Sequence, residues 1–369
     1  VRVGVVLDRW EPARGGAERA LAKLVAHLVG RGDDVRVFCL AAADGAPGTA
    51  HVLDRPLRPR GSMEIAFARA ATDAARDAGC DVTLGIRHLQ EVDVYWPHGG
   101  LHRETLAASE RAQGALRAGV ARTLHRMSLK HRAFLGLEQR LLAGGGARVV
   151  WCVSPMVRDE LAAAYAACEP HLEVHPNGVD LEAFHPRLRD ERRAAFLERH
   201  RIDPASAVLV FPGGNWGLKG WDVLCAALPL VRGPWIAVAA GHGSEFVSVP
   251  PALRERVLVV PQQDARDLWG AADVCVQPTW RDPCSLATLE ALASGVPVVT
   301  TTANGAADAA ARGGAVVRPG DAAAFAAAVG SLVARRGPEA RRAARDSVAD
   351  RPEGAWLAGL AASLGRAAT

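Results

Sequence analysis

Along the chain, short runs of Val, Ile and Leu alternate with longer Ala-rich stretches in which apolar residues recur at helical spacing. Runs of this kind read as buried strands and the stretches between them as crossover helices, so the pattern predicts β-α-β units around a parallel sheet. In the first half, strands are expected at Val1–Leu7, Val35–Leu40, Val82–Ile86, Val92–Trp96, Val149–Val153 and Leu172–His175. Helices are expected between them, notably at Gly16–Gly30 and along one long stretch from about Arg103 to Leu142. The alternation then breaks at Pro176-Asn177-Gly178-Val179-Asp180 and Phe184-His185-Pro186, a turn-rich segment that suits a linker.

It restarts with strands expected at Ala207–Phe211, Trp235–Ala239, Val257–Val260, Val274–Gln277, Val296–Thr300 and Ala315–Val317. Helices are expected at Trp221–Leu230, Ala265–Gly270 and Ser285–Ser294. The expected architecture is therefore α/β, with two doubly wound, Rossmann-like domains at 1–181 and 182–351. After an Ala- and Arg-rich helical segment, a last helix at about Pro352–Leu364 is expected, by fold analogy, to cross back so that 352–369 packs on the first domain.

Composition agrees with this division. A chain of 369 residues suits about two domains at roughly 100–200 residues each. With 49% hydrophobic and 23% charged residues it reads as an ordinary globular protein. The net charge of +4 and isoelectric point near 8.8 fall short of a nucleic-acid-coating surface, so no nucleic-acid partner is expected. The seven cysteines never form Cys-x-x-Cys, which argues against a zinc or redox site and for reduced core residues. Val1–Leu7 reads as a strand and not as a signal peptide, and no apolar run approaches the ~20 residues of a membrane span. A cytoplasmic protein is expected.

Three segments carry candidate chemistry. Arg14-Gly15-Gly16-Ala17-Glu18 lies between the first strand and first helix, where glycine lets backbone N–H groups approach an anion. A tight turn is the plainer reading of that pair, and the spacing is not the Gly-x-Gly-x-x-Gly of dinucleotide binders, which counts against a dehydrogenase. The second domain's first strand ends in Gly213-Gly214-Asn215-Trp216-Gly217-Leu218-Lys219-Gly220, a glycine-rich loop that can bring Lys219 onto a diphosphate. A solvated lysine on a surface loop is the alternative.

The third segment runs from Gln277 to Val299 and reads as strand, loop, helix, Gly-Val-Pro turn and strand. Asp282 precedes the helix and Glu290 follows eight positions later, a rotation of roughly 800° that returns to a similar face. Two acids thus line one edge. Amides near Cys284 and Ser285 open the helix and can hold hydroxyl or phosphate oxygens. The alternative is structural, with Asp282 as helix N-cap and Glu290 in a surface ion pair.

With Ala291-Leu292-Ala293-Ser294-Gly295-Val296-Pro297-Val298-Val299 after the two acids, this segment resembles the donor-site signature of glycosyltransferase family 4. Gly15-Gly16-Ala17-Glu18, His175-Pro176-Asn177-Gly178-Val179-Asp180 with Phe184, and Lys219-Gly220 fall in the family's order. Asp93-Val94-Tyr95-Trp96, the basic stretch after it and Asn215–Gly220 are most similar to members that glucosylate the lipopolysaccharide core. Two departures stand out: Asp282 replaces the usual Glu, and the Arg that many members carry just upstream of the loop Lys has no counterpart between Val210 and Lys219.

The resemblance implies the GT-B fold, its two domains facing a cleft, and retaining transfer of a hexose, with glucose foremost, from a UDP-sugar to a lipid-linked glycan. It implies that Glu290 binds the ribose, that Asp282 and the Cys284–Ser285 amides hold the donor sugar, and that Lys219 and the Gly15–Gly16 amides neutralise the diphosphate. Gly213, Asn215 and Leu286 complete the implied donor site. No metal or other cofactor is expected, because the developing charge is on phosphate. His98, in Trp96-Pro97-His98-Gly99-Gly100, is a candidate to face the sugar or acceptor hydroxyl, with a bystander loop histidine as the alternative.

From 103 to 140, eight basic residues oppose Glu104, Glu110 and Glu138. Interleaved Leu106, Val120, Leu124, Met127 and Leu129 make the stretch amphipathic, which fits contact with an anionic leaflet or a solvated helix face. A family relative with another lipid or soluble acceptor, or a nucleotide-sugar-binding protein without turnover, remains open.

Overall fold

The computed structural model describes residues 1–54, 61–86 and 88–369, with residues 115 and 116 described by their backbone alone. They form two compact units. One comprises Val1–Glu110, Ala115–Pro176 and Ala355–Thr369, the other Arg111–Gly114 and Asn177–Gly354.

The first unit contains β1 (Arg2–Val6), β2 (Asp34–Cys39), β3 (Thr49–Val52), β4 (Val82–Gly85), β5 (Val92–Tyr95), β6 (Ala147–Cys152) and β7 (Leu172–Val174). Among the described residues these pair in parallel in the order β3-β2-β1-β4-β5-β6-β7. The order reverses at β1, whose carboxyl end leads into the Arg14–Glu18 loop and the helix Gly16–Gly30. In open α/β sheets ligands bind outside the carboxyl ends at such a reversal.

Edge strand β3 escapes the apolar-run criterion because Thr49, Ala50 and Val52 are exposed and His51 only half-buried. The helical stretch expected over 103–142 is divided into three helices, His102–Ala112, Ala115–Met127 and Leu129–Leu142. Gly114 breaks the first junction at φ +75°, and Ser128 starts the third helix by accepting from the His131 amide at 3.4 Å.

The helix Glu353–Ala367 completes this unit. Trp356, Leu357, Leu360, Ala361 and Leu364 are buried, and Trp356 meets Trp96 with ring centroids 6.2 Å apart. Trp96 in turn stands edge-on to Trp151. Trp151 Nε1 donates to Ser363 Oγ at 2.8 Å, and Ser363 donates to Glu173 at 2.7 Å. Burial alone would raise the Glu173 carboxyl, but hydrogen bonds from Ser363, His175 and Arg366 bring it below its ordinary value.

The second unit holds β8 (Ala207–Pro212), β9 (Trp235–Ala240), β10 (Val257–Val260), β11 (Val274–Gln277), β12 (Val298–Thr301) and β13 (Gly314–Val317). Its order among the described residues is β10-β9-β8-β11-β12-β13, again parallel. Leu209, Phe211, Trp235, Val274, Val276 and Phe325 lie in one buried cluster. The reversal falls between β8 and β11. Their carboxyl ends carry the Gly213–Gly220 loop and the Gln277–Ser285 loop, side by side.

Candidate functional site

Lys219 and Asp282 meet at the carboxyl ends of β8 and β11, with Nζ 2.5 Å from Oδ2. Both side chains are largely withdrawn from solvent, at 21% and 11% exposure, so this pair is less screened than an ordinary surface ion pair. The same carboxylate oxygen accepts from Gln277 Nε2 at 3.1 Å. Gln277 Oε1 then accepts from Ser285 Oγ at 3.0 Å and Thr288 Oγ1 at 2.8 Å. Reversing the amide would set its NH2 against two hydroxyls and its oxygen against a carboxylate, so this orientation is the one the surroundings satisfy.

Asn304 closes the network from β12's side. Its Nδ2 donates to Thr288 Oγ1 and Thr300 Oγ1, both at 3.0 Å, while Oδ1 accepts the Ser285 and Ala306 amides. Asp282 is fixed in the backbone as well, donating to Ala303 O at 2.9 Å and accepting from the Gly305 amide at 2.8 Å. A buried and fully bonded amide network of this type specifies one geometry.

These contacts separate the two readings of Asp282. The N-cap of helix Leu286–Ala293 is Ser285, whose Oγ accepts from the Thr288 amide at 3.3 Å, and Asp282 faces Lys219 instead. They also correct one expectation: the Ser285 amide is held by Asn304 and does not stand open at the helix start. Leu286 opens the helix, and Glu290 lies buried one turn further on. Cys284 is buried, which pushes its thiol up to about 12 and keeps it protonated. Its carbonyl accepts from Asn177 Nδ2 at 3.0 Å, which ties the Pro176–Asp180 segment to this loop.

The Lys219 loop is held by its own backbone. Asn215 O accepts the Lys219 amide at 2.9 Å, and Asn215 Oδ1 accepts from the Leu218 amide at 3.3 Å, so this side chain shapes the turn that delivers the lysine. Gly213 packs so closely that a Cβ there would lie 2.6 Å from the Trp216 ring. Gly220 adopts φ +81°, and a Cβ on it would fall 1.9 Å from Pro278 O.

Gly15, Gly16 and His98 belong to the other unit. Gly15 is the N-cap of helix Gly16–Gly30 with extended backbone, and Glu18 of the first turn folds back over it with Arg14 4.0 Å away. His98 is buried, its ring edge-on to Trp96 at 5.1 Å. Gln277, Thr288 and Asn304 were not among the expected site residues. A lone Gln at a strand end and an Asn twenty-seven positions later have no motif of their own.

A profile described as Glycosyltransferase Family 4 matches residues 14–183, and one described as Glycosyl transferases group 1 matches 206–335. D-inositol 3-phosphate glycosyltransferase of Mycobacterium sp. (strain KMS) is 32% identical over 162 residues, covering 40% of this chain and 35% of that protein. The chain thus spans about a third of the length of the first such relatives. D-inositol 3-phosphate glycosyltransferase 1 of Catenulispora acidiphila is 26% identical over 329 residues, or 79% of this chain and 75% of that protein. Among solved structures, WaaG, a glycosyltransferase involved in lipopolysaccharide biosynthesis, superposes with a TM-score of 0.81 at 17% identity over 98% of this chain and 99% of its own. HepE of Anabaena in complex with UDP-glucose gives 0.73 at 17% identity, with 99% of each chain covered. These two likenesses are of fold. Residues 14–183 are thus similar to Family 4 glycosyltransferases and residues 206–335 to glycosyl transferases of group 1, and the fold is that of the GT-B enzymes.

Proposed function

We propose that the chain is a retaining glycosyltransferase that moves a hexose, glucose first, from a UDP-sugar to a lipid-linked glycan of the lipopolysaccharide-core kind. The observation that carries this reading is the Lys219–Asp282–Gln277 set at the reversal of the second sheet, ahead of the helix that carries buried Glu290. Departure of the nucleotide leaves new negative charge on the diphosphate. A fixed ammonium in a partly dry site stabilises that charge as it develops. Asp282 holds the ammonium in place and offers its other oxygen to the sugar, while Glu290 receives the ribose hydroxyls. HepE in complex with UDP-glucose and WaaG, involved in lipopolysaccharide biosynthesis, support the choice of donor and acceptor.

Labelled UDP-glucose with deep-rough lipopolysaccharide tests it: release of UDP with label in the lipid fraction is the expected result. UDP binding with no release would mean a binding protein without turnover, and thermal stabilisation by NAD but not UDP would revive a dehydrogenase. Because of the inositol phosphate relatives, D-inositol 3-phosphate serves as the competing soluble acceptor in the same assay. Glu290→Ala is expected to weaken UDP binding at least ~10-fold by calorimetry, the worth of a charge-assisted hydrogen bond. An unchanged Kd removes Glu290 from the donor site.

The helix Ala115–Met127 supports action at an anionic membrane. Val120, Leu124 and Met127 form one stripe at i, i+4 and i+7 and are 63%, 62% and 72% exposed, followed by Leu129 at 58%. Arg117, Arg126 and Arg132 flank it without a carboxylate partner among the described residues. Glu138, counted against this charge in the sequence, is fully buried, where it accepts from the His102 amide and the Tyr165 hydroxyl. Among the described residues no helix is long and apolar enough to cross a membrane. Flotation with phosphatidylglycerol vesicles is expected, lost in Leu124→Glu/Met127→Glu and weakened by salt. Flotation that ignores both excludes this helix.

A further inference from the structure

The second unit carries another concentration of positive charge, which sugar transfer leaves unused. A cavity of about 790 Å³ opens between the Pro186–Asp190 segment and the helix Pro338–Asp346, beside the turn that follows helix Leu286–Ala293. Arg187, Arg189, Arg336, Arg341, Arg342 and Arg345 line it, against two carboxylates, Asp190 and Asp273. Asp273 is engaged already, bridging Arg189 at 3.1 Å and Arg193 at 3.0 Å and accepting the Val208 amide. Arg187 faces Glu182 and Glu191, each at 3.8 Å.

The other four guanidiniums have no carboxylate within ion-pair reach among the described residues. Arg341 donates to the carbonyls of Pro186 and Ser294, Arg345 to those of Leu181, Phe184 and Ala293, and Arg336 to those of Ala205 and Val333. Arg341 is pushed down to about 10, first by burial and then by Arg189, which reports the crowding of like charge. Cations at a helix C-terminus are expected on dipole grounds, and that explains Arg341 and Arg345 at Ala293 and Ser294. The same argument covers Arg336 at Val333, in the last turn of helix Ala322–Ala334, but it does not explain Arg342 or why these helix ends converge on one cavity.

We propose that this cavity binds a soluble small molecule bearing two or more phosphate groups. Guanidinium forks match phosphate oxygens in pairs, and the volume lies within the ~300–1,000 Å³ usual for small-molecule sites. A concave wall of one sign also concentrates multivalent anions more than monovalent ones. The site is separate from Lys219 and Asp282 and stands or falls apart from the donor reading.

The full chain, with its donor site saturated by UDP, is titrated with sodium tripolyphosphate by calorimetry, as wild type, as Arg336→Ala/Arg342→Ala, and as Lys219→Ala. Arg336 and Arg342 are exposed, so the double variant is expected to melt as wild type does. Saturable binding is expected, at least ten-fold weaker in the double variant and within two-fold of wild type in Lys219→Ala. Phosphatidylglycerol vesicles form the second arm, and their binding is expected to be equal in wild type and double variant. Absence of saturable tripolyphosphate binding, binding lost only with Lys219, or vesicle binding abolished by the double substitution overturns the proposal.

Discussion

Lys219→Ala is expected to lower kcat for sugar transfer by roughly 10²–10³-fold, the effect of removing one preorganised group from a developing oxyanion. KM for the donor should move far less, because on the proposed reading Glu290 binds the ribose and the lost interaction strengthens only as the diphosphate departs. Two features make the effect large. The Lys219 side chain is 21% exposed and its ammonium sits 2.5 Å from Asp282, so water replaces it poorly. The Gly213–Gly220 loop also holds no Arg to take over. Asp282, left with Gln277, becomes a poorly compensated carboxylate, which adds to the loss. Steady-state kinetics beside a melting curve checks this: equal falls in kcat and kcat/KM at a preserved melting temperature are expected. A kcat within five-fold of wild type would remove Lys219 from the reaction.

Gly220→Ala is expected to cost about 3 kcal/mol of stability. The left-handed conformation at φ +81° and ψ 38° costs a Cβ-bearing residue about 1–2 kcal/mol. The new methyl falls 1.9 Å from the Pro278 carbonyl oxygen, a backbone atom held between β11 and the Asp282 loop, and relieving such a clash adds about 1–3 kcal/mol. For a unit of this size the melting temperature should fall by roughly 6–12 °C. The two loops that deliver Lys219 and Asp282 are pressed apart by the same change, so turnover should drop with stability. Gly217→Ala is the control. It has nothing within 4 Å of its added Cβ, and its melting temperature should stay within about 2 °C of wild type. Equal melting of Gly220→Ala and Gly217→Ala would show that the two loops are not in forced contact.

Where burial is continuous, the sequence already outlines the fold. Val274–Gln277 is a strand with the bounds its apolar run suggests, because a strand covered on both faces admits little else. Edge strand β3 is exposed and therefore looks like loop. At the site, the spacing of Asp282 and Glu290 is visible along one helix, whereas Gln277 acquires meaning only when Asp282, Ser285 and Thr288 fold back onto it. Asn304 arrives from β12's far end, and no local pattern announces it. The basic cavity is hidden for a different reason. Its arginines come from the segment after Phe184, from Arg336 and from helix Pro338–Asp346, within a chain rich in arginine throughout.

The helix Glu353–Ala367 sets the order in which the two units can be completed. Its residues follow the second unit in the chain yet fill the first unit's interior against Trp96 and Trp151. At roughly 5–20 residues per second, the ribosome works for on the order of tens of seconds between the first unit's β7 and the segment that closes it. Through that interval two indole rings lack their cover, while the second unit has every strand it needs to condense. The half of the protein translated first is the half finished last.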